Sequence, residues 1–484
     1  MVLPPAAPAA SSPRRCSEGA ARWALRPGLA CSQLLLLTML APQAGGGPAA
    51  AAGQPRTTIF PPSAPPSAPP SALNPRPIPT RSAVRAPAAP APASGAPASS
   101  QPNPFPGPLP NPLPGPLPGG LPAPGPSSPE LALGVWLTTV DSAVMHDPAE
   151  AQRALAFLRH NGFRRAALPL YTAGVVTWSP APARNRLAIP ADPLLPPAAT
   201  PPDSPIRSGA GPVHGVGPTA SLLAALGRAG LERVGWFEFG LMAPAGAPWL
   251  AGRDDLLLRD ASGSSLWQES PGLNRVWLNP ILPEVQQLLE DLVVDACTQL
   301  PLEAIQFDDH LGYPVRFGYD PATLAAWRAT EAGRRNPSPA PGEPAWIAWR
   351  AEQVTALLER LRAAMNSACP AVRMSVSPNP QEFSYSNYLA DWSSWVRRGL
   401  VDEVVVQIYR DNLAALGREL AHPSLAAAVQ RVPVRIGLLA GLKSQPKDPA
   451  QLRRELELVQ GRGYRGIDLF FYESARRHFS EPGR

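Results

Sequence analysis

From Leu131 onward the chain repeats one pattern: a short apolar run, a stretch whose apolar positions keep helical spacing, then another apolar run. The runs fall at 133–137, 165–170, 234–239, 304–308, 372–377, 404–409, 434–439 and 467–473. Between them stand helix-start signals: Asp147-Pro148, Asn279-Pro280, Asp320-Pro321 and Asp448-Pro449 each place a capping side chain before a proline. Ile281, Val285, Leu288, Leu289, Leu292, Val293 and Ala296 line one helical face. Runs that alternate with helices predict parallel strands joined by helical crossovers. Eight of them is the number that closes a barrel, so the expected class is α/β, a (β/α)8 TIM barrel.

The first 130 residues cannot take part in that pattern. Residues 51–130 hold 27 prolines among 80 positions, mostly with Ala, Ser and Gly, too little apolar surface to offset the entropy of ordering. A disordered linker is expected over 51–129, and a signal-peptide-like leader over 1–50. There, arginines precede the apolar run Leu34–Ala41 and small residues follow it. The barrel then occupies 130–484. The net charge of +6 is carried wholly by these N-terminal parts, since the remainder has 35 basic and 35 acidic residues. A neutral folded part offers a phosphate backbone no electrostatic footprint, so no nucleic-acid partner is expected. Of the four cysteines, Cys16 and Cys31 belong to the leader, and Cys297 and Cys369 are expected as buried thiols, a bridge between them being the alternative.

In such a barrel the functional groups collect at the C-terminal ends of the strands and in the loops that follow. Glu238, Asp308, Asp309, His310, Glu382, Tyr409, Asp411 and Glu473 all fall there. Most pointed is 304–314, AIQFDDHLGYP, where an apolar run stops on two carboxylates, an imidazole, a glycine and a phenol. Carboxylates beside flat aromatic walls suit a sugar better than a phosphate. Glycoside hydrolysis needs one carboxyl group to protonate the leaving oxygen and another to attack or to activate water. Neighbours on a strand point to opposite sides, so Asp308 is expected to work with a carboxylate from another strand rather than with Asp309. The competing structural readings are a loop cap for Asp309 or His310, a solvated Glu382, and arginine-paired Glu238 and Glu473 bracing the mouth. There is no Gly-rich phosphate loop, GxSxG, HExxH or zinc spacing. No cofactor and no metal are therefore expected, a deacetylase-like metal site on Asp308, Asp309 and His310 being the rival reading.

These residues also carry a resemblance. GVWLT at 134–138, WFEFGLMAP at 236–244, VWLNP at 276–280, IQFDDH at 305–310, SPNPQ at 377–381, QIYRD at 407–411 and FFYE at 470–473 together resemble the glycosyl-hydrolase-like 10 family in its cyanobacterial branch. The likeness runs over nearly all of 131–475, and the proline-rich loop at 179–212 departs from it. It implies an exported TIM-barrel glycoside hydrolase acting on an envelope or extracellular polysaccharide. More distantly, Gln306-Phe307-Asp308 is similar to where α-galactosidase-like barrels keep a nucleophilic aspartate, with the acid after strand six. That analogy makes Asp308 the nucleophile and Asp411 the acid, with Glu382 and Glu238 as further catalytic candidates. Trp136, Asp309, His310, Asn279, Gln407, Tyr409 and Glu473 are expected to contact substrate. The alternative is a non-catalytic carbohydrate-binding barrel tethered at the envelope. A monomer is expected, secreted or held in the periplasm or cell envelope, without stable membrane insertion once the leader is gone.

Overall fold

The computed structural model of the chain describes residues 131–196, 217–270 and 272–482. The expected leader and linker lie outside the described residues, as does 197–216 of the loop after the second strand. Among the described residues, eight parallel strands form the central sheet: β1 (Ala132–Trp136), β2 (Phe163–Thr172), β3 (Glu232–Phe237), β4 (Ala304–Asp308), β5 (Arg373–Ser377), β6 (Glu403–Gln407), β7 (Val434–Leu439) and β8 (Gly466–Phe470). Each pairs with its neighbours in sequence, and β1 pairs with both β2 and β8, so the sheet closes. This is the (β/α)8 barrel, built on all eight of the expected runs.

Helices α1 (Pro148–His160), α2 (Pro218–Arg228), α3 (Pro283–Gln299), α4 (Pro344–Ala368), α5 (Trp392–Arg397), α6 (Pro423–Val429) and α7 (Pro449–Gly461) lie along the connections. Asp147 and Asp448 cap α1 and α7 by accepting from Ala149 N at 2.8 Å and Ala450 N at 3.0 Å. The start of α3 differs from expectation: Asn279 Oδ1 accepts from Ile281 N at 3.1 Å, which closes a turn ahead of the helix rather than capping it. Its Nδ2 donates to Asp320 Oδ1 and Thr323 Oγ1, both at 2.9 Å, and the helix begins only at Pro283. None of the helices among the described residues is long and apolar enough to cross a membrane.

The two cysteines expected as thiols form a disulfide. Cys297 sits near the end of α3 and Cys369 caps the end of α4. Packing of these helices brings their Cα atoms to 6.1 Å, within bridging reach, although 72 residues separate them in sequence.

The barrel interior is polar at the N-terminal end of the strands. Arg165 on β2 donates twice to Glu403 on the far side, at 2.6 and 2.7 Å, and lies 3.6 Å from Asp468 on β8. Arg435 on β7 holds Asp468 at 2.6 Å. A hydrogen-bonded chain climbs from there: Ser375 Oγ donates to Glu403 at 2.8 Å, Gln306 Nε2 to Ser375 Oγ at 3.0 Å, and Trp136 Nε1 to Gln306 Oε1 at 2.8 Å. Gly134 makes room for this network, since a Cβ there would stand 1.8 Å from Asp468 Oδ1. Above Trp136 the interior turns aromatic, with Trp236, Phe470, Phe471 and Tyr409 in one buried cluster.

Two excursions dress the C-terminal face. After β3, three short antiparallel strands, Met242–Pro244, Leu273–Trp277 and Trp267–Ser270, form a small sheet. After β2, the described part of the long loop is strapped to α3: Trp178 Nε1 and Ala181 N donate to Asp295 at 2.8 and 3.0 Å, and Arg184 and Arg186 pair with Asp291.

Candidate active site

β4 ends on Asp308, and the chain turns at once into a short 3-10 helix, Asp309–Leu311. Asp308 causes the turn by accepting from the backbone N of His310 at 3.0 Å. The strand alternation expected to separate Asp308 from Asp309 therefore stops between them. Oxygens of the two carboxyl groups and a ring nitrogen of His310 all lie within 4.8 Å of one another. The backbone after β3 closes over the turn, with Leu241 N donating to His310 O at 2.9 Å. Gly240 allows that approach, at φ 49°, where a Cβ would stand 2.7 Å from the same oxygen.

All three side chains are buried, and each is held. Trp236 Nε1 donates to Asp308 Oδ2 at 3.1 Å, and Asn379 Nδ2 to Asp309 Oδ2 at 3.0 Å. His310 Nδ1 lies 2.8 Å from the carbonyl of Glu238 and 3.0 Å from Asp308 Oδ1. A carbonyl can only accept, so Nδ1 carries a hydrogen, and Nε2 is the nitrogen left without a partner among the described residues. Nδ1 is thus no metal ligand, and the oxygens of Asp308 are taken by N–H donors. The donor set fits a hydrogen-bonded cluster better than a cation site.

Burial pushes the Asp308 carboxyl up to about 7, with Asp309 and Glu238 adding to the effect and the charge of His310 opposing it. Burial by itself disfavours charge on His310, but Asp308 and Asp309 outweigh it and carry the imidazole up to about 10. Between those values the cluster holds the imidazolium of His310 against the Asp308 carboxylate.

The remaining candidates divide into those the fold brings to this cluster and those it does not. Glu238 is buried beside it and accepts from Thr172 Oγ1. Tyr409 is buried above β6, its ring 6.0 Å from Phe470 and its hydroxyl under the influence of Asp309 and Asp308. Gln407 Nε2 donates to Ser377 O at 2.6 Å, closing the gap between β5 and β6. Trp136 lies one layer down, its N–H spent on Gln306. Asn279 is spent on Asp320, Thr323 and the backbone N of Ile281. Glu473 braces the mouth between Ser142 Oγ, at 2.9 Å, and Arg476, at 3.7 Å. Glu382 is 86% exposed and faces His422 at 3.3 Å, and Asp411 is exposed on the loop after β6. Neither is joined to Asp308.

Trp236 and Asn379 hold the two carboxylates and were not singled out from sequence. The signals were there: Trp236 shares its strand face with Glu238, and Asn379 is held between two prolines.

Residues 202–454, more than half of the chain, match the family model described as glycosyl hydrolase-like 10. The chain belongs to that family. The match is to the family and says nothing of a cyanobacterial branch. Among curated relatives, the protein named glycosyl hydrolase DigH from Escherichia coli (strain K12) is 25% identical over 161 residues, 30% of this chain and 34% of that protein. Its counterpart in Shigella flexneri matches to the same extent. The chain thus spans about a third of the length of the curated relatives it matches. The glycoside hydrolase domain of PgaB (BpsB) from Bordetella bronchiseptica superposes with a TM-score of 0.51 at 13% identity, over 72% of this chain and 96% of that domain. That likeness is one of fold. Within the glycosyl hydrolase-like 10 match lie Asp308, Asp309, His310, Asn379 and Tyr409, and Trp136 and Glu473 lie outside it.

Proposed function

We propose that the protein is a glycoside hydrolase acting on an envelope or extracellular polysaccharide, with Asp308 as the proton-donating carboxyl group and Asp309 as the carboxylate beside it. The observation that carries this reading is the pairing itself. Two buried carboxyl groups sit at the C-terminal mouth of a barrel strand, each oriented by a side chain from a neighbouring strand, in front of an aromatic wall of Trp236, Phe470 and Phe471. A carboxyl group kept partly protonated near neutral pH by its apolar surroundings suits the acid role, and a second one close by suits nucleophilic or electrostatic support of the oxocarbenium-like transition state. This moves the acid from Asp411 to Asp308. Family membership and the names of the relatives support sugar chemistry, and the disulfide agrees with an exported protein.

The test is release of reducing ends from envelope polysaccharides. Asp308→Asn should lower turnover by about 10³-fold or more with an unchanged circular dichroism spectrum, and Asp309→Asn should be similarly impaired. Asp411→Asn and Glu382→Gln should stay within about twofold of the parent, as expected of exposed groups outside the cluster. Full turnover by Asp308→Asn, or glycan retention without any cleavage by the parent, would overturn the assignment in favour of a binding barrel.

A further inference from the structure

Tyr409 continues the inward-facing series of β6, after Glu403, Val405 and Gln407. It stands two strands round the mouth from Asp308, with Ser377 of β5 and Asn379 just after it between them. Only 2% of it is exposed, and its hydroxyl is buried without a hydrogen-bond partner among the described residues. A buried, unpaired hydroxyl is costly, and phenylalanine would pack the same ring against Phe470 without that cost. Burial, with Asp309 and Asp308 adding to it, also pushes the phenol well above its ordinary value, so it remains a donor across the working pH range. Along the same arc, Ser377 Oγ, Asn379 Oδ1 and His310 Nε2 are likewise buried and without partners. The mouth is therefore two-sided: an arc of polar atoms on β4, β5 and β6 faces an aromatic arc of Trp236, Phe470 and Phe471.

We propose that Tyr409 is a catalytic residue of this site, its hydroxyl donating to a substrate oxygen held between it and the carboxyl groups of Asp308 and Asp309. This rests on the reading of that pair as the hydrolytic machinery. An oxygen that accepts from a permanent donor while facing a carboxylate must return a hydrogen of its own. That selects a free sugar hydroxyl over an acylated one. The hydroxyl next to the anomeric carbon fits best, because hydrogen bonds to it strengthen as oxocarbenium character develops. Tyr409 then acts chiefly on kcat.

The experiment compares the parent, Tyr409→Phe and Asp308→Asn on aryl glycosides and on their 2-deoxy counterparts, with thermal unfolding of all three proteins. For Tyr409→Phe on the 2-hydroxy glycosides, kcat should fall by about 10²-fold with KM changed less than about threefold. On the 2-deoxy glycosides the parent and Tyr409→Phe should converge. Its Tm should equal or exceed that of the parent, since no partner is lost. An unaltered kcat, or a kcat loss equal on both substrates, overturns the proposal while leaving Asp308 in place. Activity retained by Asp308→Asn instead tells against the underlying pair. A Tm several degrees below the parent means that the hydroxyl has a structural partner, and overturns the proposal whether or not any glycoside is turned over.

Discussion

Asp308 is a buried carboxyl group whose proton is shared out by its neighbours. Burial raises it, and the adjacent imidazolium of His310 restrains the rise. If Asp308 acts as the acid, kcat/KM should fall as the pH rises through about 7, when the proton it must donate is lost. His310→Gln removes the restraining cation and should move that alkaline limb to higher pH, as read from a pH–rate profile. A limb that moves to lower pH would contradict the geometry, because only loss of a like charge could cause it. The same residue shows what tertiary contact adds. A histidine after two aspartates reads equally as a cap, a ligand or a base, and the carbonyl of Glu238, 72 residues away in sequence, settles that Nδ1 carries a hydrogen.

At the scale of elements, the working parts are strand ends whose regularity stops where it is needed. The turn after β4 begins one residue after the strand, so adjacent carboxylates that alternation would separate come to share one side. β1 shows the reverse, a strand kept bare so that another can fill the interior. Gly134→Ala would drive a methyl group onto Asp468 and disturb its hold on Arg435. A loss of about 1–3 kcal/mol in urea unfolding is expected, the range for overpacking, and unchanged stability would show that Asp468 has room to shift. The caps of α1 and α7 were legible because Asp-Pro is a local signal. Asn279-Pro280 carries nearly the same signal and caps no helix, because its side-chain oxygen accepts from Ile281 N in a turn and the helix begins only at Pro283.

The barrel as a whole is tied across its interior by charge and outside by a covalent link. Arg165 bridges β2 to β6 and reaches β8, and its charge holds Glu403 below the ordinary glutamate value even though burial alone would raise it. Arg165→Met removes the paired hydrogen bonds to buried Glu403, leaving it Ser375 and the more distant Arg373, and should cost about 3–5 kcal/mol at pH 7. Because the lowered Glu403 contributes stability above its unfolded value and loses it as the pH falls, the gap between variant and parent should narrow on acidification. A constant gap in urea titrations from neutral to acid pH would place the effect elsewhere. Replacing both Cys297 and Cys369 by serine should lower stability by about 2–5 kcal/mol, and a reductant should then affect the parent but not the variant. What the sequence by itself determined was the order and number of elements: eight apolar runs and their capped helices can bury their surface only as a closed, helix-covered sheet. It also placed the acidic run at the mouth, since period-two strands end where the apolar run ends. Only the tertiary structure decided which groups meet. The crossings from Arg165 to Glu403, Trp136 to Gln306 and Cys297 to Cys369 depend on which strands and helices become neighbours in space. The same closure leaves Asp411 and Glu382 on the rim while Asn379 and Trp236 secure the carboxylates of Asp309 and Asp308.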